Sequence, residues 1–233
     1  MQALNVMISD RIKTIKETVF NAAVSSNRKF EDIQIMAVTK TVAPEVINIA
    51  IENGIQLLGE NRVQEYLEKH EFYNTACDNI HFIGHLQTNK VKYIIDKVGM
   101  IQSVSSTNLA IEIDKRSQFA KKSMDILVEV NIANEASKSG FSDQEALDAI
   151  LLISSYKNIN IRGLMCIPPK ENVELYFGKM NELFCKIKAQ NIERVSMDFL
   201  SMGMSGDYEQ AIRHNSNIIR LGSALFGERN IGG

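Results

Sequence analysis

The chain has 233 residues, 45% hydrophobic and 23% charged, which is the balance of an ordinary globular protein and excludes a disordered or fibrous one. Lys and Arg number 26 against 28 Asp and Glu, a net charge of -2, so no overall field draws in a nucleic acid. On folding, a chain of this size buries roughly seven-tenths of its surface, so one large domain over residues 1–233 is expected, held without disulfides or metals.

The opening segment predicts a helix with Leu4, Ile8, Ile12, Ile15 and Val19 on one face. It has no basic leader followed by a continuous apolar core, and no run in the chain approaches the roughly 18 apolar residues of a membrane span. A cytoplasmic location away from membranes is the expectation. Short β-branched runs then recur: Ile33 to Val38, Leu57 to Gly59, His81 to Ile83, Ile101 to Val104, Ile126 to Ile132, Ile161 to Ile167, Val195 to Leu200, and Ile218 to Leu221. Their starts lie 24, 24, 20, 25, 35, 34 and 23 positions apart, each enough for a loop, a helix and a parallel return. Eight such units predict an α/β fold, a closed (β/α)8 barrel of the TIM type.

Helix punctuation agrees. Pro44 and Glu45 sit where a first turn belongs, and Gly54 follows the last periodic residue of that segment. Ser142 and Glu145 have capping-box spacing and predict a helix running towards Tyr156. Only 12 residues follow Leu221, so the C-terminal end is truncated for a barrel, and the extra N-terminal helix is expected to cover the apolar surface left there. Cys77, Cys166 and Cys185 match neither a disulfide frame nor a zinc motif; all three are expected to be reduced, and no metal site is predicted.

In such a barrel the working face lies at the strand C-terminal ends. Period-two alternation in the first run puts Lys40 on the face of Met36 and Val38. If that face is the interior, desolvation favours the free amine, the form that attacks an aldehyde; a lysine snorkelling at a strand end or paired with a carboxylate is the alternative. After the seventh run, Ser201, Gly203, Ser205 and Gly206 precede Asp207, and Arg220, Gly222 and Ser223 close the eighth. These are the two loops where barrels bind phosphate, with glycines allowing close approach and serines adding donors; turn and cap duty is the alternative for either loop alone. Arg220 alternates onto the face of Ile218 and, if inward, needs either a ligand acceptor or an internal partner such as Asp198 or Glu60. A reactive amine, a phosphate cradle and an arginine aimed at a ring nitrogen together describe a pyridoxal phosphate site.

These stretches, in order, read AVTKT at 37–41, GENRVQE at 59–65, HFIGHLQTNK at 81–90, SKSG at 137–140, RGLM at 162–165, LSMGMS at 200–205 and RLGSALFG at 220–227. Together they resemble the pyridoxal phosphate homeostasis proteins, a family with the barrel of the alanine racemase N-terminal domain. The resemblance implies that Lys40 forms the internal aldimine, that Ser201, Gly222 and Ser223 hold the phosphate, with Ser205 able to exchange roles with Ser201, and that Arg220 faces the pyridine nitrogen. Asn61 and Met165 are implied to line the ring pocket. An arginine partner keeps the ring nitrogen unprotonated and weakens the cofactor as an electron sink. The resemblance therefore implies a carrier or buffer of pyridoxal 5'-phosphate, serving apoenzymes and vitamin B6 balance, without a catalytic residue; the truncated barrel offers no clear interface, and a monomer is expected. A weak amino-acid racemase is the alternative; in alanine racemase the second base comes from a further domain, for which this chain has no room. A lysine Schiff-base aldolase or phosphosugar isomerase without a cofactor also remains open.

Overall fold

The β-branched runs become eight strands in a computed structural model that describes residues 2–228; the expected domain over 1–233 extends beyond these at both ends, outside the described residues. The strands are β1 (Gln34–Val38), β2 (Leu57–Glu60), β3 (Ile80–Phe82), β4 (Met100–Val104), β5 (Met124–Glu129), β6 (Ile159–Met165), β7 (Val195–Met204) and β8 (Ile218–Leu221). Each pairs in parallel with its sequence neighbour, and β1 pairs with β8, closing the barrel. A parallel return needs a crossover. The helices are α1 (Gln2–Ser25), α2 (Pro44–Glu52), α3 (Val63–Lys69), α4 (Thr107–Phe119), α5 (Ala146–Ile153), α6 (Val173–Lys188), α7 (Tyr208–Arg213) and α8 (Ser223–Phe226). Between β3 and β4 the crossover is a 3-10 helix over Thr88–Tyr93. This is the (β/α)8 barrel of the TIM type.

Strand ends depart from the expected runs. The fifth leaves the sheet at Glu129, and Val130 bridges to Phe141 instead. The sixth spans Ile159–Met165, two positions earlier than expected, since Pro168 and Pro169 follow closely and Ile167 is exposed. The seventh continues past Leu200 to Met204, with an irregularity in its pairing to β8 between Ser201 and Met204. Ser142 and Glu145 form the reciprocal cap, Ser142 N donating to Glu145 Oε2 at 3.0 Å and Glu145 N to Ser142 Oγ at 3.2 Å. The helix proper starts at Ala146 and stops at Ile153, short of Tyr156.

Alternation sorts the side chains. Met36 and Val38 point into the barrel with Leu57, Ile83 and Ile218, whereas Ala37 joins the larger core between strands and helices. A second interior cluster holds Met100, Leu127 and Met165 against Phe199. The buried stripe of α1 is Ile8, Ile12, Ile15 and Val19, each worth about 1.5–3 kcal/mol on burial. It lies against α2, α7 and α8, covering the sector where the last helix is only four residues long. No helix among the described residues is long and apolar enough to cross a membrane. All three cysteines are free; burial pushes the Cys166 thiol up to about 12.

Candidate active site at the C-terminal mouth

Two cavities open at opposite mouths of the barrel. One, of about 870 Å³, is lined by His81 and Arg162 at the strand N-terminal ends, where Arg162 already bridges Asp125 and Asp198. The other, of about 910 Å³, lies at the C-terminal ends and gathers Lys40, Asn61, Ser205, Arg220, Gly222 and Ser223 on one wall or another. The second brings an amine together with a buried guanidinium and a serine- and glycine-rich rim, at the end of the barrel where loops carry chemistry.

Lys40 stands two residues past β1 in a turn fixed from both sides. Before it, Thr39 Oγ1 donates to Glu60 Oε1 at 2.6 Å and to the Gly59 carbonyl at 3.1 Å. Lys69 Nζ donates to the carbonyls of Thr39 at 3.0 Å and Val42 at 3.2 Å, and to Glu65 Oε1 at 2.7 Å. After it, the Thr41 N–H donates to Glu65. The anchor itself is buried: Glu60 is fully enclosed, and Tyr73 OH also donates to its Oε1, at 2.6 Å. Burial raises the Glu60 pKa, against the hydrogen bonds from Thr39 and Tyr73, which lower it. The turn that presents the lysine is thus held before any ligand arrives.

Arg220, near the end of β8, is 4% exposed. Its Nη1 donates to Ser201 Oγ at 2.7 Å and its Nη2 to the Cys166 carbonyl at 2.8 Å. Neither internal ion pair weighed from sequence forms: Asp198 is taken by Arg162, and Glu60 by Thr39 and Tyr73. Both acceptors are neutral oxygens, so burial lowers the guanidinium's pKa while Cys166, Asp207 and Glu129 pull the other way. A buried cation so placed favours a further acceptor from the cavity.

The loops after β7 and β8 meet as expected but divide the serines differently. Ser205, the first residue beyond β7, accepts the N–H groups of Gly222 at 3.2 Å and Ala224 at 3.1 Å. With Gly206, Gly222 and Ser223 it forms a polar rim of the cavity. Ser201, still inside the strand, points into the barrel; fully buried, it donates to Gln102 Oε1 at 2.7 Å and receives Arg220. It lies beneath the cavity, because β7 runs on to Met204. Met165, beside Ser201 in the sheet, packs on Met100 and Leu127 rather than on the cavity wall. Asn61 does line the cavity, and its buried Oδ1 has no hydrogen-bond partner among the described residues.

The alanine racemase N-terminal domain family matches residues 20–230. The chain belongs to this family. It is 39% identical over 224 residues to a pyridoxal phosphate homeostasis protein of Aquifex aeolicus, covering 94% of this chain and 97% of that one. A protein of the same description from Haemophilus influenzae is 34% identical over 229 residues, 96% of each. Among solved structures, PipY of Synechococcus elongatus without pyridoxal phosphate superposes with a TM-score of 0.84 at 25% identity, over 94% of this chain and 100% of that one. PipY has also been solved with pyridoxal phosphate bound; that structure, at 24% identity and a TM-score of 0.80 over the same shares of the two chains, shares the fold.

Five of the seven stretches that carry the resemblance place a side chain on the cavity wall; HFIGHLQTNK contributes Ile83. Its next residue explains a glycine: a Cβ on Gly84 would lie 2.0 Å from the Asn61 carbonyl oxygen, so only glycine lets the two loops meet behind Asn61. His85 Nδ1 and Ser139 Oγ, 3.2 Å apart, tie this loop to the SKSG stretch across the rim. Sequence reasoning did not single out Gln102 or the inward face of His81, although alternation from Met100 and Ile83 carries both signals.

Proposed function

We propose that this barrel, as one domain, binds pyridoxal 5'-phosphate at its C-terminal mouth, with Lys40 as the Schiff-base lysine, and serves as a cytoplasmic, monomeric carrier or buffer of that cofactor for apoenzymes. The observation that carries the reading is the convergence on one cavity of an amine, a buried guanidinium and a polar rim of Ser205, Gly206, Gly222 and Ser223. The names of the relatives and the cofactor bound to PipY support it.

The residues fit the group. Ser205, Gly206, Gly222 and Ser223 offer short polar contacts for a phosphate, a role that passes from Ser201 to Ser205. Val38, Ile83 and Met204 give apolar wall for a ring, Arg220 a donor for its nitrogen, and Asn61 Oδ1 an acceptor for a ring hydroxyl. When bound, pyridoxal phosphate supplies an aldehyde for an amine to trap and a ring that accepts electrons. Lys40 would hold the aldehyde end. Arg220, always protonated, would donate to the ring nitrogen and keep it from taking a proton, which suits storage more than carbanion chemistry. Asp207, on the same wall, already accepts the Met204 N–H at 2.6 Å, and Lys170 is exposed at the rim. Carriage needs no further base; a racemase needs one opposite the lysine.

The test is the visible spectrum of the purified chain after loading with pyridoxal phosphate, for wild type and Lys40→Ala. A band present in wild type and absent in the variant is expected. No lysine-dependent band would refute the reading and favour a cofactor-free aldolase or isomerase. Sustained amino-acid racemisation, abolished by Lys40→Ala, would replace the carrier by an enzyme.

A further inference from the structure

We propose that Gln102, backed by His81, is a positioning residue that sets Arg220 towards the cofactor's ring nitrogen; this rests on the reading above that Arg220 faces that atom. Four side chains from four strands form one line through the barrel interior. Arg220 Nη1 lies 2.7 Å from Ser201 Oγ, Ser201 Oγ 2.7 Å from Gln102 Oε1, and Gln102 Nε2 2.8 Å from His81 Nδ1. Exposure falls from 7% at His81 and 4% at Arg220 to 0% at Ser201 and Gln102, so water does not substitute for any link.

The direction of every hydrogen bond follows from one end. A guanidinium has donors only, so Ser201 Oγ must accept from Arg220. The single Ser201 hydroxyl proton is then given to Gln102 Oε1, which turns the amide nitrogen towards His81. His81 Nδ1 must accept from it, and the ring proton sits on Nε2, on the side of the N-terminal cavity that His81 lines. Gln102 therefore holds the Ser201 proton away from Arg220. Without that acceptor the buried Ser201 proton loses its partner, so the hydroxyl and the Nη1 contact it makes are no longer held in one orientation, and the guanidinium keeps only the Cys166 carbonyl as a fixed point. A residue that only fills the core would affect stability alone. One that positions Arg220 must also change the protonation of the ring nitrogen.

The experiment uses the full chain loaded with pyridoxal phosphate labelled with nitrogen-15 in the ring. In Gln102→Met the ring nitrogen signal is expected to move towards its protonated position. A protonated ring withdraws electrons from the lysine link, so the pH midpoint of the visible band is expected to fall by about one unit. Gln102→Glu, which restores an acceptor for the Ser201 proton, is expected to bring both readouts back. A folded, loaded Gln102→Met with unchanged ring signal and midpoint overturns the inference and leaves the cofactor reading standing. A wild-type chain with no Lys40-dependent band overturns both. Should Gln102→Met fail to fold, Ser201→Ala carries the same expected shifts with rescue by Ser201→Thr, and no shift in Ser201→Ala overturns the inference.

Discussion

His81 should make the fold acid-labile through one proton, and a single substitution should remove that lability. In the fold its Nδ1 accepts from Gln102 at 2.8 Å, and burial lowers its pKa from 6.5 to about 4. The unfolded chain takes up the proton near the ordinary value, the fold only near the depressed one. The stabilisation is therefore complete above pH 6.5, drains as pH falls to about 4, and changes no further below that. At about 1.4 kcal/mol per pKa unit the loss is about 3 kcal/mol, or roughly 6–12 °C in Tm for a chain of this length. Glu60 and Glu129 work against it. Burial raises both their pKa values, so their contribution is present below the ordinary carboxylate value and lost as pH rises through the folded one. The informative quantity is thus a difference between variants, not the wild-type curve. His81→Asn keeps an acceptor near Nδ1 and cannot titrate. Urea unfolding of both proteins between about pH 7 and about pH 4 should show wild type losing about 3 kcal/mol relative to the variant. A difference that stays flat to within about 0.5 kcal/mol would refute the reading of His81 as a buried neutral acceptor.

Tyr73→Phe removes one of the two side-chain donors to Glu60. It should cost about 1.5–3 kcal/mol where the carboxylate is ionised and about 0.5–1.5 where it is protonated, so denaturation at high and low pH should give the larger loss at high pH. Gly84→Ala puts a Cβ 2.0 Å from a backbone oxygen that has no side-chain freedom to yield. About 1–3 kcal/mol of stability should be lost, and pyridoxal phosphate should dissociate faster on dilution because Asn61 must shift. On α1, Ile8→Ala at a fully buried site should cost about 2–5 kcal/mol. Val6→Ala, at an exposed site of the same helix, should stay within about 0.5 kcal/mol of wild type in the same melts.

Which face of each strand looks inward was legible because alternation has a period of two whatever the strand's length. Met36, Val38 and Ile218 fixed the inward set on β1 and β8, and from them the sides taken by Lys40 and Arg220. Where a strand stops was less legible. On β7 the apolar residues thin out after Leu200, yet the strand runs on past an irregularity to pair again at Met204, and the turn begins only at Ser205, Gly206 and Asp207. Those four extra residues decide which serine reaches the cavity, since one inside the strand is committed to the interior and one just past it stands on the rim. The turn residues at 205–207 were the signal for the end; the loss of hydropathy at 201 was not.

Partners across the barrel were illegible for a different reason. Ser201 and Gln102 are 99 positions apart, and closure alone brings them together. Sequence records that both are polar and inward but not that they meet. Closure adds a constraint that sequence reading can use: a polar side chain in mid-strand, facing a sealed interior, has to find its partner on another strand. For β3, β4, β7 and β8 that constraint leaves His81, Gln102, Ser201 and Arg220 to satisfy one another. Because an arginine at one end only donates and an unprotonated histidine nitrogen at the other only accepts, the line has one direction. Its order is then set by Arg220, the residue that also lines the C-terminal cavity, which ties the polar core of this barrel to that mouth.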